Sequence, residues 1–183
     1  LKFKRLDIDD VILITPDVFK DNRGYFYESY SQEKIDKGLE LSVKFVQDNL
    51  SYSSKKNTIR GVHYQLNNPQ GKLMSCTRGA ILDVAVDIRE GSKTFGKWVS
   101  AILSDDNHNR LWIPRGFAHG FRTLTDDCVV SYKLDEFYYH DSKCGFMWND
   151  TNVNIDWGLS GTDEVILSDQ DKDYDSFDQL EKL

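Results

Sequence analysis

The chain has 183 residues, 39% of them hydrophobic and 13% aromatic, which suits one folded domain over 1–183 and excludes global disorder. The 30 acidic residues outnumber the 23 basic ones for a net charge of -7, the wrong sign for a protein that grips duplex nucleic acid. The longest apolar runs, such as Val11 to Ile14, are too short for a transmembrane helix, and no basic start followed by an apolar stretch marks a signal peptide.

Short strands dominate the pattern. Val11 to Ile14, Tyr25 to Tyr30, Val43 to Val46 and Thr58 to Gln65 are candidates. Leu73 to Thr77 runs into Arg78-Gly79, read as a hairpin turn, and then into Ala80 to Ile88. There Leu82, Val84, Val86 and Ile88 alternate with Ile81, Asp83, Ala85 and Asp87, so the two sets take opposite faces of one strand. Trp98 to Leu103, Leu111 to Ile113, Gly120 to Leu124 and Val129 to Leu134 continue the series. One helix is expected early, capped by Ser31, running through Glu33 to Lys37 and stopped by Gly38. Ser168 to Leu183 is an acidic tail or short helix, its last part a C-terminal tail from about 172 to 183. The class is all-β, with a jelly-roll sandwich or barrel as the natural architecture.

Three cysteines, Cys76, Cys128 and Cys144, have no Cys-x-x-Cys spacing, which argues against a zinc knuckle and fits a reducing cytoplasm. Of the four histidines, His108 in a DDNHN turn is expected to be solvated. His63 in IRGVHYQ reads equally well as a hydrogen-bonded core histidine or as a chemical one. Arg60 and His63 are an odd number apart, so an unbroken strand would split them between faces; Gly61 permits a bulge that realigns them. Asp83 and Asp87 need partners if their face lines the barrel, and one of them could orient His119. The tryptophans read as packing residues. Asp21 to Glu28 reads either as a turn into an aromatic edge strand or as a site where the planar Arg23 fork meets phosphate. Gln47-Asp48-Asn49 offers amides able to read a base or sugar.

The stretch IPRGFAHGF, with His119, resembles the second cupin motif, Pro-x-Gly-x-x-His. Where the first motif would bring His-x-His, this chain has His63-Tyr64-Gln65 with Lys72 beyond. Gln is a weak ligand and an ammonium repels a divalent cation, so no metal is expected. Together with DNRGYFYES, FVQDNLSYS, PQGKL, GAILDVAVDIR, TFGKW, SYKLDEFY, GFMWND and ILSDQD, these motifs resemble the dTDP-4-dehydrorhamnose 3,5-epimerase family from about Val11 to Asp171. The resemblance implies a cupin jelly roll with a few short peripheral helices, a homodimer, no cofactor, and a place in dTDP-rhamnose biosynthesis for cell-surface polysaccharide. It implies inversion of C3 and C5 of dTDP-4-dehydro-6-deoxy-D-glucose.

A ketone at C4 acidifies the hydrogens on both neighbouring carbons, so each inversion needs a base on one face and an acid on the other. By resemblance, His63 is the base, Asp171 its carboxylate partner with Asp169 as the alternative, Tyr132 the acid, and Lys72 the cation beside the enolate oxygen. Arg60 and His119 match substrate contacts, Gln47, Asp48 and Asn49 match sugar-nucleotide contacts, and Tyr138 matches an aromatic that stacks on the base. Arg23 and Glu28 match positions that reach toward the neighbouring subunit's site. Arg115, Lys143 near the nucleotide, and His140-Asp141 depart from the family pattern and leave the nucleotide and the sugar's substituents open. Other readings are epimerisation at C3 alone, a different nucleotide such as GDP, a non-catalytic sugar-nucleotide binder, and, weakest, a metal-dependent oxygenase.

Overall fold

A computed structural model describes residues 1–180. Its strands are β1 (Lys2–Arg5), β2 (Ile12–Thr15), β3 (Val18–Asp21), β4 (Gly24–Tyr27), β5 (Gln47–Ser53), β6 (Ile59–Gln65), β7 (Lys72–Arg78), β8 (Ala80–Asp87), β9 (Trp98–Ser104), β10 (Arg110–Ile113), β11 (Phe117–Thr123), β12 (Cys128–Leu134) and β13 (Lys143–Gly145). Helix α1 spans Gln32–Leu39 and the short α2 spans Asp169–Lys172.

Alternating apolar residues drive the strands into two facing antiparallel sheets. One has the order β1-β2-β10-β7-β12-β5, the other β13-β6-β11-β8-β9, and β3 and β4 form a separate hairpin. Met74, Cys76, Leu111, Ile113, Cys128 and Val130 of the first sheet meet Ile81, Ala85, Val99, Leu103, Phe117 and Phe121 of the second. The expected alternation on β8 holds. Ile81 and Ala85 point between the sheets, while Val84, Val86 and Ile88 point outward against Phe146, Val153, Ile155, Trp157 and Phe177 of the C-terminal segment. That segment therefore packs over the barrel, as expected for the acidic tail; residues 181–183 lie outside the described residues. The first sheet's outer face, with Ile12, Ile14, Leu73 and Trp112, is covered by Ile35 and Leu39 of α1. The tryptophans pack in or against these outer clusters.

Several expectations change. Ser31 does cap α1, accepting from the Lys34 amide, but the helix runs past Gly38 and ends at Glu40 in the left-handed region. Gly38 instead makes room for Phe3: a Cβ there would sit 2.2 Å from the Phe3 ring. Residues 43–46 form no strand. The Val43 N–H donates to the Asp36 carboxylate and its C=O accepts from the Gln32 side chain, so helix side chains satisfy the backbone that a sheet would otherwise pair. Arg78-Gly79 is not a hairpin turn: β7 and β8 lie in different sheets, so the chain turns a corner between layers there. His108 is not solvated. It is buried, with its ring 4.7 Å from that of Tyr25 and 4.6 Å from that of Tyr27.

Along β7 and β12 the inward residues change character. Cys76 and Met74 give way to Lys72, and Cys128 and Val130 give way to Tyr132. At this polar end the sheets enclose a cavity of about 750 Å³, within the range typical of small-molecule sites.

Candidate active site

The cavity wall begins with an irregularity in β6. His119 pairs with His63 and Phe121 pairs with Arg60, so two residues of β6 stand opposite Gly120 alone. This is the bulge that Gly61 permits, and it puts Arg60 and His63 on the same inward face. Gly61 has φ of 120°, and a Cβ there would lie 2.6 Å from the Gly120 Cα, so no other residue fits without displacing β11.

His63 and His119 are thus direct neighbours on one wall, and each is tied to a carboxylate. His63 Nε2 lies 2.5 Å from Asp171 Oδ1, and His119 Nε2 lies 2.7 Å from Asp83 Oδ1. At His63 an ionised Asp171 accepts the Nε2 proton of the neutral ring and leaves Nδ1 as its free nitrogen. Asp171 reaches His63 from α2, whose Ser168 cap accepts from the Asp171 amide. Burial pushes the Asp171 carboxyl up, but the hydrogen bonds and charge of His63, with those of Ser168 and Gly61, hold it below the ordinary range. Burial lowers His63 below the ordinary imidazole value; Asp171 opposes this, and the charges of Lys143 and His119 add to it. Asp169 is exposed and donates nothing to the site; its carboxylate pairs with Lys172 at 2.9 Å. Asp87, the other aspartate of β8, is raised by burial but brought down to about 2 by bonds from Arg89, Ser92 and Thr94.

Tyr132 and Lys72 line the cavity from the opposite sheet. Lys72 is 8% exposed, and burial lowers its ammonium to about 8 against the pull of Asp135 and Asp83. Asp83 Oδ2 is buried with no hydrogen-bond partner among the described residues, leaving part of its charge unspent. Arg60 donates to the Ser53 hydroxyl and the Tyr52 carbonyl, and Lys143 donates to Gln170. Arg60, Lys72 and Lys143 all line the cavity, and none forms an ion pair among the described residues. The interior therefore favours an anionic ligand although the whole chain is acidic.

Strand alternation sorts the amide tripeptide. Gln47 and Asn49 line the cavity, whereas Asp48 faces out, departs from the expected ligand contact, and pairs with Lys133 at 3.0 Å. Gln47 also accepts from the Tyr138 amide, fixing that exposed aromatic at the cavity mouth. Gln65, in the place of a metal-ligating histidine, spends its amide on the backbone of Asn68, Phe137 and Tyr139. Arg23 and Glu28 lie away from this cavity: Arg23 pairs with Asp21 and Glu28 with Lys34. Arg115 is also outside, with Nε 2.9 Å from Asp135. His140 and Asp141 are exposed. Tyr174 was not anticipated. Its ring lies 5.4 Å from that of His63, and an aromatic set among acidic residues in the tail carries no signal of that contact.

This is a cupin-type β-barrel whose centre carries acid–base and cationic side chains. Among the described residues, no three His, Cys, Asp or Glu side chains gather as a ligand set. The chain belongs to the dTDP-4-dehydrorhamnose 3,5-epimerase family, whose model matches residues 5–179. It is 48% identical to the dTDP-4-dehydrorhamnose 3,5-epimerase of Escherichia coli over 98% of this chain and 96% of the relative. A crystal structure of dTDP-6-deoxy-D-glucose-3,5-epimerase from Legionella pneumophila, in complex with dTDP-4-keto-L-rhamnose, superposes with a TM-score of 0.94 at 40% identity, covering 98% of this chain and 94% of that one. The Bacillus anthracis dTDP-4-dehydrorhamnose 3,5-epimerase with TDP and PPi bound gives 0.90 at 44% identity, covering 96% and 98%.

Proposed function

We propose that this chain inverts C3 and C5 of dTDP-4-dehydro-6-deoxy-D-glucose to give dTDP-4-dehydro-L-rhamnose, using its own side chains for every proton transfer. The observation that carries this reading is the His63–Asp171 pair on one wall of a cavity whose other wall presents Tyr132 and Lys72. His63 Nδ1 takes the proton from the carbon beside the ketone, and Asp171 stabilises the imidazolium that forms. The electron pair moves onto the C4 oxygen, where the Lys72 ammonium offsets the developing charge. The Tyr132 hydroxyl then delivers a proton to the same carbon from the opposite face, the ketone reforms, and solvent restores both side chains. Repeating the cycle at the second carbon completes the isomerisation, with no net change in atoms or electrons.

Arg60, His119, Gln47, Asn49, Tyr138 and Lys143 hold the sugar nucleotide in this reading. The working unit is a homodimer in the cytoplasm, with Arg23 and Glu28 directed to the partner's cavity. The exposed Phe19 and Phe26 of the β3–β4 hairpin support this pairing. The deciding experiment follows solvent deuterium into the dTDP-linked 4-keto sugar by NMR. Wild type should label C3 and C5 and form the L-sugar, and H63A should label neither. Labelling by H63A at the wild-type rate would overturn the assignment of the base.

A further inference from the structure

Lys143 opens β13, an edge strand, where it pairs in register with Gln65, and Gly145 two residues on pairs with His63. Residues two apart on a strand share a face, so the Lys143 side chain is a diagonal neighbour of His63. Its Nζ donates to Gln170 Oε1 at 2.6 Å, one residue before Asp171, and lies 6.0 Å from the centre of the Tyr174 ring that packs on His63. An ammonium that feels the pull of Asp171 but forms no ion pair among the described residues thus stands near the base, on the wall of the ligand cavity.

The other charged groups around His63 cannot respond to a ligand in the same way. Asp171 of α2 is buried and already bound to it, and His119 of β11 is held by Asp83. Tyr174, beside it in the C-terminal segment, has its hydroxyl pushed up by burial and by Asp171, so it stays neutral. Across the cavity, Lys72 is buried and Tyr132 is partly buried against the core, while Arg60, on the same strand as His63, is turned to Ser53 and Tyr52 and its charge is not among those that lower His63. Lys143 is only partly buried and is bonded to a single neutral amide.

A cation beside an imidazole disfavours the imidazolium, and an anion docked on that cation removes the effect. We propose that Lys143 couples the arrival of an anionic diphosphate to the basicity of His63, so that the base strengthens when a nucleotide-linked substrate enters. This rests on the reading of the ligand as a nucleoside diphosphate sugar. It gives Lys143, a departure from the family pattern, a positioning role in which charge rather than contact with the reacting carbon matters.

The test is NMR titration of the His63 ring in the whole protein, empty and with dTDP, inorganic diphosphate or thymidine. In the empty protein K143Q should raise the His63 midpoint, and K143R, which keeps the charge, should leave it at the wild-type value. Both dTDP and diphosphate should raise the wild-type midpoint and shift K143Q much less; thymidine should shift neither. Equal midpoints in wild type and K143Q, equal ligand shifts in both, or a K143R midpoint that moves with K143Q would each overturn the coupling. Turnover of the dTDP-linked 4-keto sugar is measured separately. Its failure in wild type would remove the substrate reading, while the diphosphate titration would still decide the role of Lys143.

Discussion

Replacing Lys72 by Met should make the protein more stable and less active. Lys72 is 8% exposed and its ammonium is brought from 10.5 to about 8 by burial, which outweighs the attraction of Asp135 and Asp83. At 1.36 kcal/mol per unit, holding the charged form in the fold costs about 3 kcal/mol at neutral pH. Met has a similar length and no charge to desolvate, so K72M should recover about 1–3 kcal/mol, the lower part of the range reflecting the counter-charge that Asp83 loses. Between about pH 8 and 10.5 the unfolded chain keeps a proton here that the folded chain has released, so wild-type stability from this group rises with pH across that window. The advantage of K72M should therefore be full below pH 8 and close by pH 10.5. Urea unfolding of both proteins at pH 7 and pH 10 measures this directly. Deuterium exchange should slow about 10²–10³-fold in K72M, as for loss of one donor to a developing oxyanion. A K72M protein less stable than wild type at pH 7, or a stability gap indifferent to pH, would refute the reasoning.

Asp171→Asn keeps the shape of the His63 partner but removes the charge that balances the imidazolium, so exchange should fall about 10²–10³-fold. With the opposing Asp171 charge gone, the acid limb of kcat/KM should move to lower pH; a move to higher pH would contradict the electrostatics. Tyr132→Phe should retain part of the deuterium exchange while losing about 10²-fold in formation of the L-sugar, read by NMR of the products; unchanged product formation would remove Tyr132 as the acid. Gly61→Ala places a Cβ 2.6 Å from the Gly120 Cα at a φ of 120°, so calorimetry should show a loss of about 2–5 kcal/mol, and near-wild-type stability would mean that the β6–β11 contact yields readily.

What could be read from the chain depended on whether a local pattern decided the outcome. The β8 alternation is local, and both of its faces are where period two puts them. The bulge was visible only as an option at Gly61, since its register depends on β11, some 60 residues away. The corner at Arg78-Gly79 was misread because a hairpin and a change of sheet use the same turn residues; the choice is made by which strands later flank β7, namely β10 and β12. Asp48 was grouped with its neighbours by motif, although strand alternation sends it to the other face. The Asp171 contact to His63 spans 108 positions, so no periodicity reports it and only family resemblance pointed to it. Tyr174 fell just beyond the last matching motif and had neither kind of signal.

The acidic excess and the cationic cavity follow from one division of space. Asp171 and Asp83 stand behind histidines, so much of their charge is spent on an imidazole N–H. Asp48, Asp169 and Asp135 pair with Lys133, Lys172 and Arg115, outside the cavity wall. Arg60, Lys72 and Lys143 are left facing inward without ion-pair partners among the described residues. A ligand thus meets cations and two histidines; Asp83 stays behind His119, and Asp171 borders the cavity with its side chain buried and bonded to His63. Freeing either carboxylate from its histidine would repel an anionic ligand and an enolate together. In this arrangement base strength and anion affinity do not compete, because each aspartate spends charge on its histidine rather than on the ligand.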